Sequence, residues 1–151
     1  MKNYLIITHL KDNDMKEINT EKIHPLIRNL LSYATSEFRI DEEYNKYLKS
    51  PNRKLFGLEC NGKYVGCIGF EMISPKECVI SHIAVFPEQR EKGIGSKMIN
   101  FLSNQFCLIS AETDKDGVDF YRKYGFMITS LGEKYPGVER FQCEFRNESI
   151  C

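Results

Sequence analysis

The sequence predicts a single α/β domain built on a mixed, mostly antiparallel sheet of about seven strands with helices on both faces. Three observations carry that expectation. Asn61-Gly62 joins two β-rich runs as a tight hairpin, an apolar strand passes through Pro87 and a Gly-x-Gly into an amphipathic helix, and that helix is followed by the short apolar run Cys107 to Ala111. If the crossover is right-handed, the last run lies parallel to the strand before the helix and completes a βαβ unit. A chain of 151 residues suits one domain with a proper core.

Taken in order, Tyr4 to Leu10 is a β-rich run that stops at the polar Lys11 to Asp14, a first strand. From about Thr20 to Ala34, the apolar residues Ile23, Ile27, Leu30, Leu31 and Ala34 recur at helical spacing. Pro25 is tolerable there only near the helix start, where its missing N–H would have no partner. Asp41 is placed to cap a second helix, with Glu42 and Glu43 in its first turn and Tyr44, Tyr47 and Leu48 on one side, ended by Ser50-Pro51-Asn52. Glu37, Arg39, Tyr44 and Tyr47 are the polar and aromatic groups these helices offer to a pocket. Lys54 to Cys60 and Lys63 to Ile73 read as the hairpin strands, because Asn and Gly both tolerate the positive φ of a two-residue loop. Ser74-Pro75-Lys76 turns the chain into a third strand, Glu77 to Phe86, completing an antiparallel meander. In the next helix, Ile94, Met98, Phe101 and Leu102 form an apolar side that must lie on the sheet. Asp114 or Asp116 caps a last helix through Val118, Tyr121 and Tyr124, with Gly125 at its C-terminal cap. Phe126 to Leu131 and Arg140 to Phe145 are two final strands around a loop, Gly132 to Glu139, that turns at Pro136-Gly137.

Composition narrows the function classes. Lys plus Arg equals Asp plus Glu at 21 each, so no overall field draws in a nucleic acid or another large polyanion. A small local anion site remains compatible with that balance. Six cysteines show no C-x-x-C spacing, and most sit in apolar runs, so they read as buried or free thiols in a reducing compartment. His9, His24 and His82 make no metal motif. No apolar run suits a signal peptide or a membrane span, which makes a cytoplasmic protein without membrane association the expectation.

The chemistry concentrates in Ser81 to Phe101, SHIAVFPEQREKGIGSKMINF. A helix start presents N–H groups without intrahelical partners, and the peptide dipoles make that end partly positive. Gly93 and Gly95 remove the β-carbons that would hold a phosphate away, while Arg90 and Lys92 add charge beside them. Read alone, the segment is either a pyrophosphate cradle or a strand-turn-helix corner with glycines for packing.

A second motif follows in fixed order. VFPEQREKGIGSKMI at 85 to 99 and DKDGVDFYRKYGF at 114 to 126, on strands and helices in this order, resemble the GNAT superfamily of acyl-CoA-dependent N-acetyltransferases. The likeness is strong from about residue 55 to 126 and topological only in the first fifty. It implies that backbone N–H groups of Glu91, Lys92, Gly93, Ile94, Gly95 and Ser96 bind the CoA pyrophosphate beside Arg90. It implies that the pantetheine arm pairs with the backbone of Ile83, Ala84 and Val85, and that an N–H near Val85 stabilises the charge growing on the thioester oxygen. The Phe-Tyr-x-x-x-Gly-Phe segment matches Phe120, Tyr121, Gly125 and Phe126, which makes Phe120 a cofactor contact and Tyr121 the acid that protonates the departing thiolate. Packing against the cofactor's apolar arm is the competing role for Tyr121.

Some positions depart from the family pattern. The frequent Asn is Asp114 here, to which the resemblance gives a cofactor-binding part in holding the pantetheine or the helix start, and which when ionised accepts hydrogen bonds but cannot donate them; the small Ala is Gly117; and Lys92 stands for the more usual Arg, losing the bidentate fork. The general base stays open among Ser81 and His82, where many relatives carry Glu, and Glu71 on the preceding strand. His82 is either a base or water relay, or a sheet histidine without a catalytic task.

The resemblance therefore implies acetyl transfer from acetyl-CoA, as co-substrate and without a metal, to a primary amine by direct attack in a ternary complex. A small amine, amino acid, aminoglycoside or protein N-terminus fits as acceptor, and a monomer or homodimer as assembly. Nothing beside Cys78 marks it as an activated nucleophile. The competing readings are an acyl-CoA-binding sensor or assembly subunit without catalysis, and a nucleotide-binding protein. The second lacks the third glycine of a dinucleotide fingerprint and the Gly-Lys-Ser/Thr of a P-loop.

Overall fold

The computed structural model describes residues 14–151. The expected strand Tyr4 to Leu10, with His9, lies outside the described residues. Seven strands form one mixed sheet in the order β1-β2-β3-β4-β5-β7-β6: β1 Met15–Glu17, β2 Arg53–Cys60, β3 Lys63–Ser74, β4 Glu77–Val85, β5 Leu108–Asp114, β6 Met127–Tyr135 and β7 Val138–Arg146. Among the described residues four α-helices accompany them, α1 Pro25–Leu31, α2 Ile40–Lys49, α3 Ile94–Ser103 and α4 Val118–Tyr124. The contacts group the chain into two compact units: the described residues up to Glu71 with Ser81–Phe101, and Met72–Ile80 with Leu102–Cys151.

In the first unit, Asn61 and Gly62 close the β2–β3 hairpin at φ 55° and 77°, a region both residue types tolerate. β1 carries no strand signal in the sequence; it forms because Met15 buries as Met15 to Glu17 pair antiparallel with Leu58 to Phe56. Two glycines show which helix covers which face of β3. A β-carbon on Gly69 would lie 2.0 Å from the Tyr47 hydroxyl oxygen of α2, whereas one on Gly66 would lie 3.1 Å from both Ile94 and Met98 of α3. Three residues apart on a strand, these positions point to opposite faces. On the α1 and α2 side, Ile27, Leu30, Leu31 and Ile40 pack with Leu55, Cys67 and Ala84, each large side chain worth about 1.5–3 kcal/mol of burial. On the α3 side, Phe56 stacks on Phe70 and meets Phe101 at 4.8 Å.

Two helix starts in the first unit differ from expectation. α1 begins at Pro25 rather than near Thr20, because His24 Nδ1 accepts the Leu26 N–H at 3.0 Å and Pro25 then takes the first helical position. α2 begins at Ile40, so Asp41 lies inside its first turn and pairs with Arg28 instead of capping.

In the second unit, Glu77, Cys78 and Val79 pair in parallel with Leu108, Ile109 and Ser110, and β7 continues antiparallel along all of β5. The expected loop Gly132 to Glu139 is mostly strand. β6 runs to Tyr135 and β7 starts at Val138, because register shifts between Ser130 and Gly132 and between Glu133 and Tyr135 carry the ladder to the Pro136-Gly137 turn. The cysteine expectation needs correction as well. Cys60, Cys67, Cys78 and Cys143 are buried free thiols, but Cys107 and Cys151 form a disulfide. Their sequence contexts, one at the mouth of β5 and one at position 151, carried no pairing signal.

Candidate functional site

β4 ends in the first unit at the turn singled out by the sequence. Along it, His82 and Ala84 are buried toward the α1 and α2 side, while Ile83 and Val85 are half-buried and Ser81 is exposed. The Phe86 N–H bonds to the Val65 carbonyl at 3.2 Å, and Pro87–Gln89 makes a single 3-10 turn. Arg90 Nε then donates to the Val85 carbonyl at 3.0 Å, and its guanidinium lies 5.4 Å from the centre of the Tyr33 ring. Arg90 thus braces the strand end in addition to bringing charge to the turn. Glu91 and Gly93 both take positive φ, 62° and 81°, and the Gly93 carbonyl accepts the Lys97 N–H at 2.9 Å as α3 begins. The space where a Gly93 side chain would start is open. Ile94 is buried and anchors the helix, while Lys92, Gly95 and Ser96 are half-buried around its start, whose first N–H groups have no acceptor within the helix. An anion is the partner such groups attract.

Below this turn lies a chain of polar groups. Tyr47 Oη and His82 Nδ1 are 2.5 Å apart, and His82 Nε2 lies 3.6 Å from Glu43 Oε1. Lys46 and Arg39 hold the other carboxylate oxygen of Glu43 at 3.0 and 3.1 Å. Burial pushes the Glu43 carboxyl up, yet Lys46, His82 and Arg39 together outweigh it and hold the group below its ordinary range. For His82 burial dominates and lowers the pKa, partly opposed by Glu43. Burial likewise raises the Tyr47 phenol. Glu71, the other base considered from the sequence, is 3.5 Å from Arg53 and belongs to an ion pair. Sequence reasoning placed Tyr47 and Glu43 on α2 but did not join them to His82. Their i, i+4 spacing, which puts both on one face of a helix, was the signal that permitted it.

The second unit contributes the other matched segment. Asp114, at the end of β5, accepts the N–H groups of Asp116 and Gly117 at 3.0 and 3.1 Å, so the carboxylate shapes the turn into α4, whose N-cap is Gly117 rather than the expected Asp114 or Asp116. A β-carbon at 117 would lie 2.2 Å from the Thr113 hydroxyl, which would have to turn away to admit it. Tyr121 is buried between Phe120 and Phe126, with ring centres 5.2 and 5.0 Å away. Burial, reinforced by the Cys143 thiol, raises its pKa and keeps the phenol protonated. Gly125, at φ 121°, ends α4 by donating to the Tyr121 and Arg122 carbonyls. Burial, with Glu77 beside it, pushes the Cys78 thiol up to about 12, which leaves it inert as a nucleophile. Among the described residues, no group of three or more His, Cys, Asp or Glu is arranged to hold a metal, and no helix is long and apolar enough to cross a membrane.

Comparison with known proteins adds three kinds of finding. Residues 51–128, just over half of the chain, match the family described as an acetyltransferase (GNAT) domain. Among curated proteins, none matches the chain significantly. Among solved structures, the ribosomal-protein-S18-alanine N-acetyltransferase of Escherichia coli superposes with a TM-score of 0.71 at 16% identity, over 87% of this chain and 92% of that one. A GNAT acetyltransferase of Elizabethkingia anophelis with acetyl-CoA bound gives 0.67 at 19% identity, over 88% and 97%. Mutant forms of the spermidine/spermine N-acetyltransferase of Vibrio cholerae give 0.67 at 17% identity, over 91% and 96%. At these identities the likeness is one of fold.

Proposed function

The chain belongs to the GNAT acetyltransferase family, and from that premise we propose that it moves an acetyl group from acetyl-CoA to a primary amine by direct attack in a ternary complex. The observation that carries the reading is the turn from β4 into α3, where Glu91 and Gly93 adopt positive φ and the first N–H groups of the helix follow. Such a turn suits a pyrophosphate. The similarly folded Elizabethkingia protein holds acetyl-CoA, which supports the same donor here. Two other folds of this kind act, by their names, on spermidine or spermine and on a ribosomal-protein alanine, both amines.

In this reading the N–H groups from Glu91 to Ser96 take the pyrophosphate, and Arg90 and Lys92 supply charge. The backbone of Ile83 to Val85 aligns the pantetheine arm, and the Val85 N–H faces the thioester oxygen, where negative charge grows during attack. The amine nitrogen attacks the carbonyl carbon, the carbon–sulfur bond breaks, and Tyr121 gives its proton to the thiolate. Phe120 packs beside the arm, and Asp114 keeps the α4 turn in shape. His82 is the base or relay on the acceptor side. The inert Cys78 supports direct attack over an acetyl-cysteine intermediate.

The test is CoA release from acetyl-CoA with a panel of polyamines, amino acids, aminoglycosides and N-terminal peptides, run beside thermal shifts with CoA, NAD and ATP. Stabilisation by CoA with amine-dependent turnover supports the proposal. Stabilisation by NAD or ATP and none by CoA sinks it, and CoA binding without turnover on any amine favours an acyl-CoA sensor.

A further inference from the structure

Two of the six cysteines differ from the rest in their surroundings. Cys60, Cys67, Cys78 and Cys143 are buried free thiols, and burial raises the pKa of each, which makes them poor nucleophiles. Cys107 and Cys151 are joined as a disulfide whose two ends are unlike: Cys107 is only 8% exposed, whereas Cys151 lies open to solvent. A thiolate arriving from solvent therefore meets the Cys151 sulfur first.

A cation stands beside the bond. The β5–β7 register puts Arg146 opposite Leu108, the residue after Cys107, and Arg146 Nη1 lies 3.5 Å from Cys107 Sγ and 3.8 Å from Cys151 Sγ. Among the described residues its guanidinium pairs with no carboxylate. In disulfide exchange one sulfur departs as a thiolate, and a thiolate of lower pKa departs faster. A guanidinium next to a sulfur favours that charged form. The two cysteines also stay together when the bond is open. The Asn147 N–H donates to the Cys107 carbonyl at 2.8 Å, Asn147 Nδ2 to the Ser103 carbonyl at 2.6 Å, and the Ile150 N–H to the Asn147 carbonyl at 3.2 Å. These bonds hold the segment carrying Cys151 beside the start of β5, so the separated sulfurs remain neighbours and can rejoin.

We propose that Cys107 and Cys151 form a reversible exchange site for small-molecule thiols, with Cys151 as the sulfur attacked and Cys107 as the one that leaves and later resolves. The incoming thiol loses its proton to water, and its thiolate bonds to Cys151 Sγ as the Cys107–Cys151 bond breaks. The electron pair stays on Cys107 Sγ, as a thiolate facing Arg146. One disulfide and one thiolate thus give another disulfide and another thiolate, with no net oxidation. The Cys107 thiolate then expels the small thiolate from Cys151 by the reverse attack, or a second small thiol removes the first as a free disulfide and leaves both cysteines reduced. Arg146 makes and breaks no bond; it is a positioning residue whose charge stabilises the departing thiolate. The site draws on none of the residues assigned to acetyl transfer and is independent of that reading.

The test uses the full wild-type chain, isolated without reductant and exposed in native buffer to glutathione or to CoA. Quenching with excess N-ethylmaleimide in denaturant, followed by peptide mass mapping, locates the adduct. The expected product carries the small thiol on Cys151 and maleimide on Cys107, with no small thiol on Cys60, Cys67, Cys78 or Cys143. The faster of glutathione and CoA identifies the thiol the site favours. Arg146→Gln should exchange about fivefold more slowly. A substitution that only loosened the fold would expose the bond and speed exchange, so slowing separates the charge from a structural role. A wild-type chain with six free thiols overturns the proposal, as does an adduct on Cys107 instead of Cys151, exchange seen only in urea, or an Arg146→Gln variant that reacts as fast as wild type. Should Arg146→Gln fail to fold, the position of the wild-type adduct decides alone.

Discussion

Arg90 Nε donates to the Val85 carbonyl oxygen at 3.0 Å, so the residue that opens the glycine turn also ties down the end of the strand before it. Both partners lie where the acyl-CoA is proposed to bind. Arg90→Ala should therefore weaken CoA binding by about tenfold, the equivalent of ~1.4 kcal/mol. Arg90→Lys should restore little, because an ammonium on a flexible stem does not reproduce a guanidinium that also covers the Tyr33 ring. Titration calorimetry with CoA reads this directly. Equal affinity in Arg90→Ala would reduce the contact to a surface detail.

The turn itself separates conformation from charge. Gly93 sits at φ 81°, where a β-carbon costs roughly 1–2 kcal/mol. Gly93→Val should lose CoA binding while far-ultraviolet dichroism stays native. Glu91 occupies the same region at φ 62° without being glycine. Glu91→Gly should relieve that strain and remove a negative charge beside the proposed phosphate site. A higher thermal midpoint together with tighter CoA binding is the expected pair of results, and a looser complex would contradict the anion assignment.

How much of this was legible beforehand depends on how local the determinant was. The Asn61-Gly62 hairpin, the α3 start and the Gly125 cap are set by residues within a few positions of each other, and all three formed where the sequence indicated them. β1 did not announce itself, because three residues pair there only once Leu58 to Phe56 offer an edge. The extension of β6 and β7 past Gly132 likewise depends on register shifts that no local pattern displays. In the candidate site, His82 was visible as a polar residue on an apolar strand. Its partners were not, since Tyr47 and Glu43 reach it from another element 35 and more residues away. The space for Tyr47 depends in turn on Gly69, which in sequence is merely a small residue in a strand.

Tyr121 is the residue on which the proposed chemistry most depends in the second unit. Its buried phenol, with a pKa raised by burial and then by Cys143, stays protonated across the neutral range and has a proton to give. Tyr121→Phe should lower kcat by about 10²-fold with the acetyl-CoA Kd unchanged. The wild-type profile should show no loss of kcat from this group until the pH passes 10, the ordinary value above which it is raised. Unchanged kcat would leave Tyr121 as packing for Phe120 and Phe126.

His82 ties stability to pH. Its pKa in the folded chain is lowered from 6.5, chiefly by burial, with Arg53, Arg39 and Lys46 adding to the shift and Glu43 opposing it. The unfolded chain therefore binds more protons than the folded one between the folded value and 6.5, and stability falls as pH decreases through that window. Urea unfolding between pH 7 and 5 should show this slope, and His82→Gln should flatten it. Glu43, whose pKa is also lowered, adds its own loss only below 4.5. A slope unchanged in His82→Gln would assign the effect to other groups.

The disulfide gives the last prediction, in the second unit. Cys107 and Cys151 close a loop with a sequence separation of 44. In the chain-entropy view, such a cross-link removes about 4 kcal/mol of freedom from the unfolded chain. The native contacts on the same segment set how much of that is seen. The Asn147 N–H bonds to the Cys107 carbonyl at 2.8 Å, Asn147 Nδ2 to the Ser103 carbonyl at 2.6 Å, and the Ser149 N–H to Asn147 Oδ1 at 3.1 Å. These hold residues 147 to 149 beside β5 whether or not the sulfurs are joined, so reduction should lower stability without unravelling β7. Unfolding free energies from urea titration with and without reductant should differ by up to ~4 kcal/mol in wild type. Cys151→Ser should match the reduced protein and ignore reductant, and coincident wild-type midpoints under both conditions would mean that the bond does not form in solution.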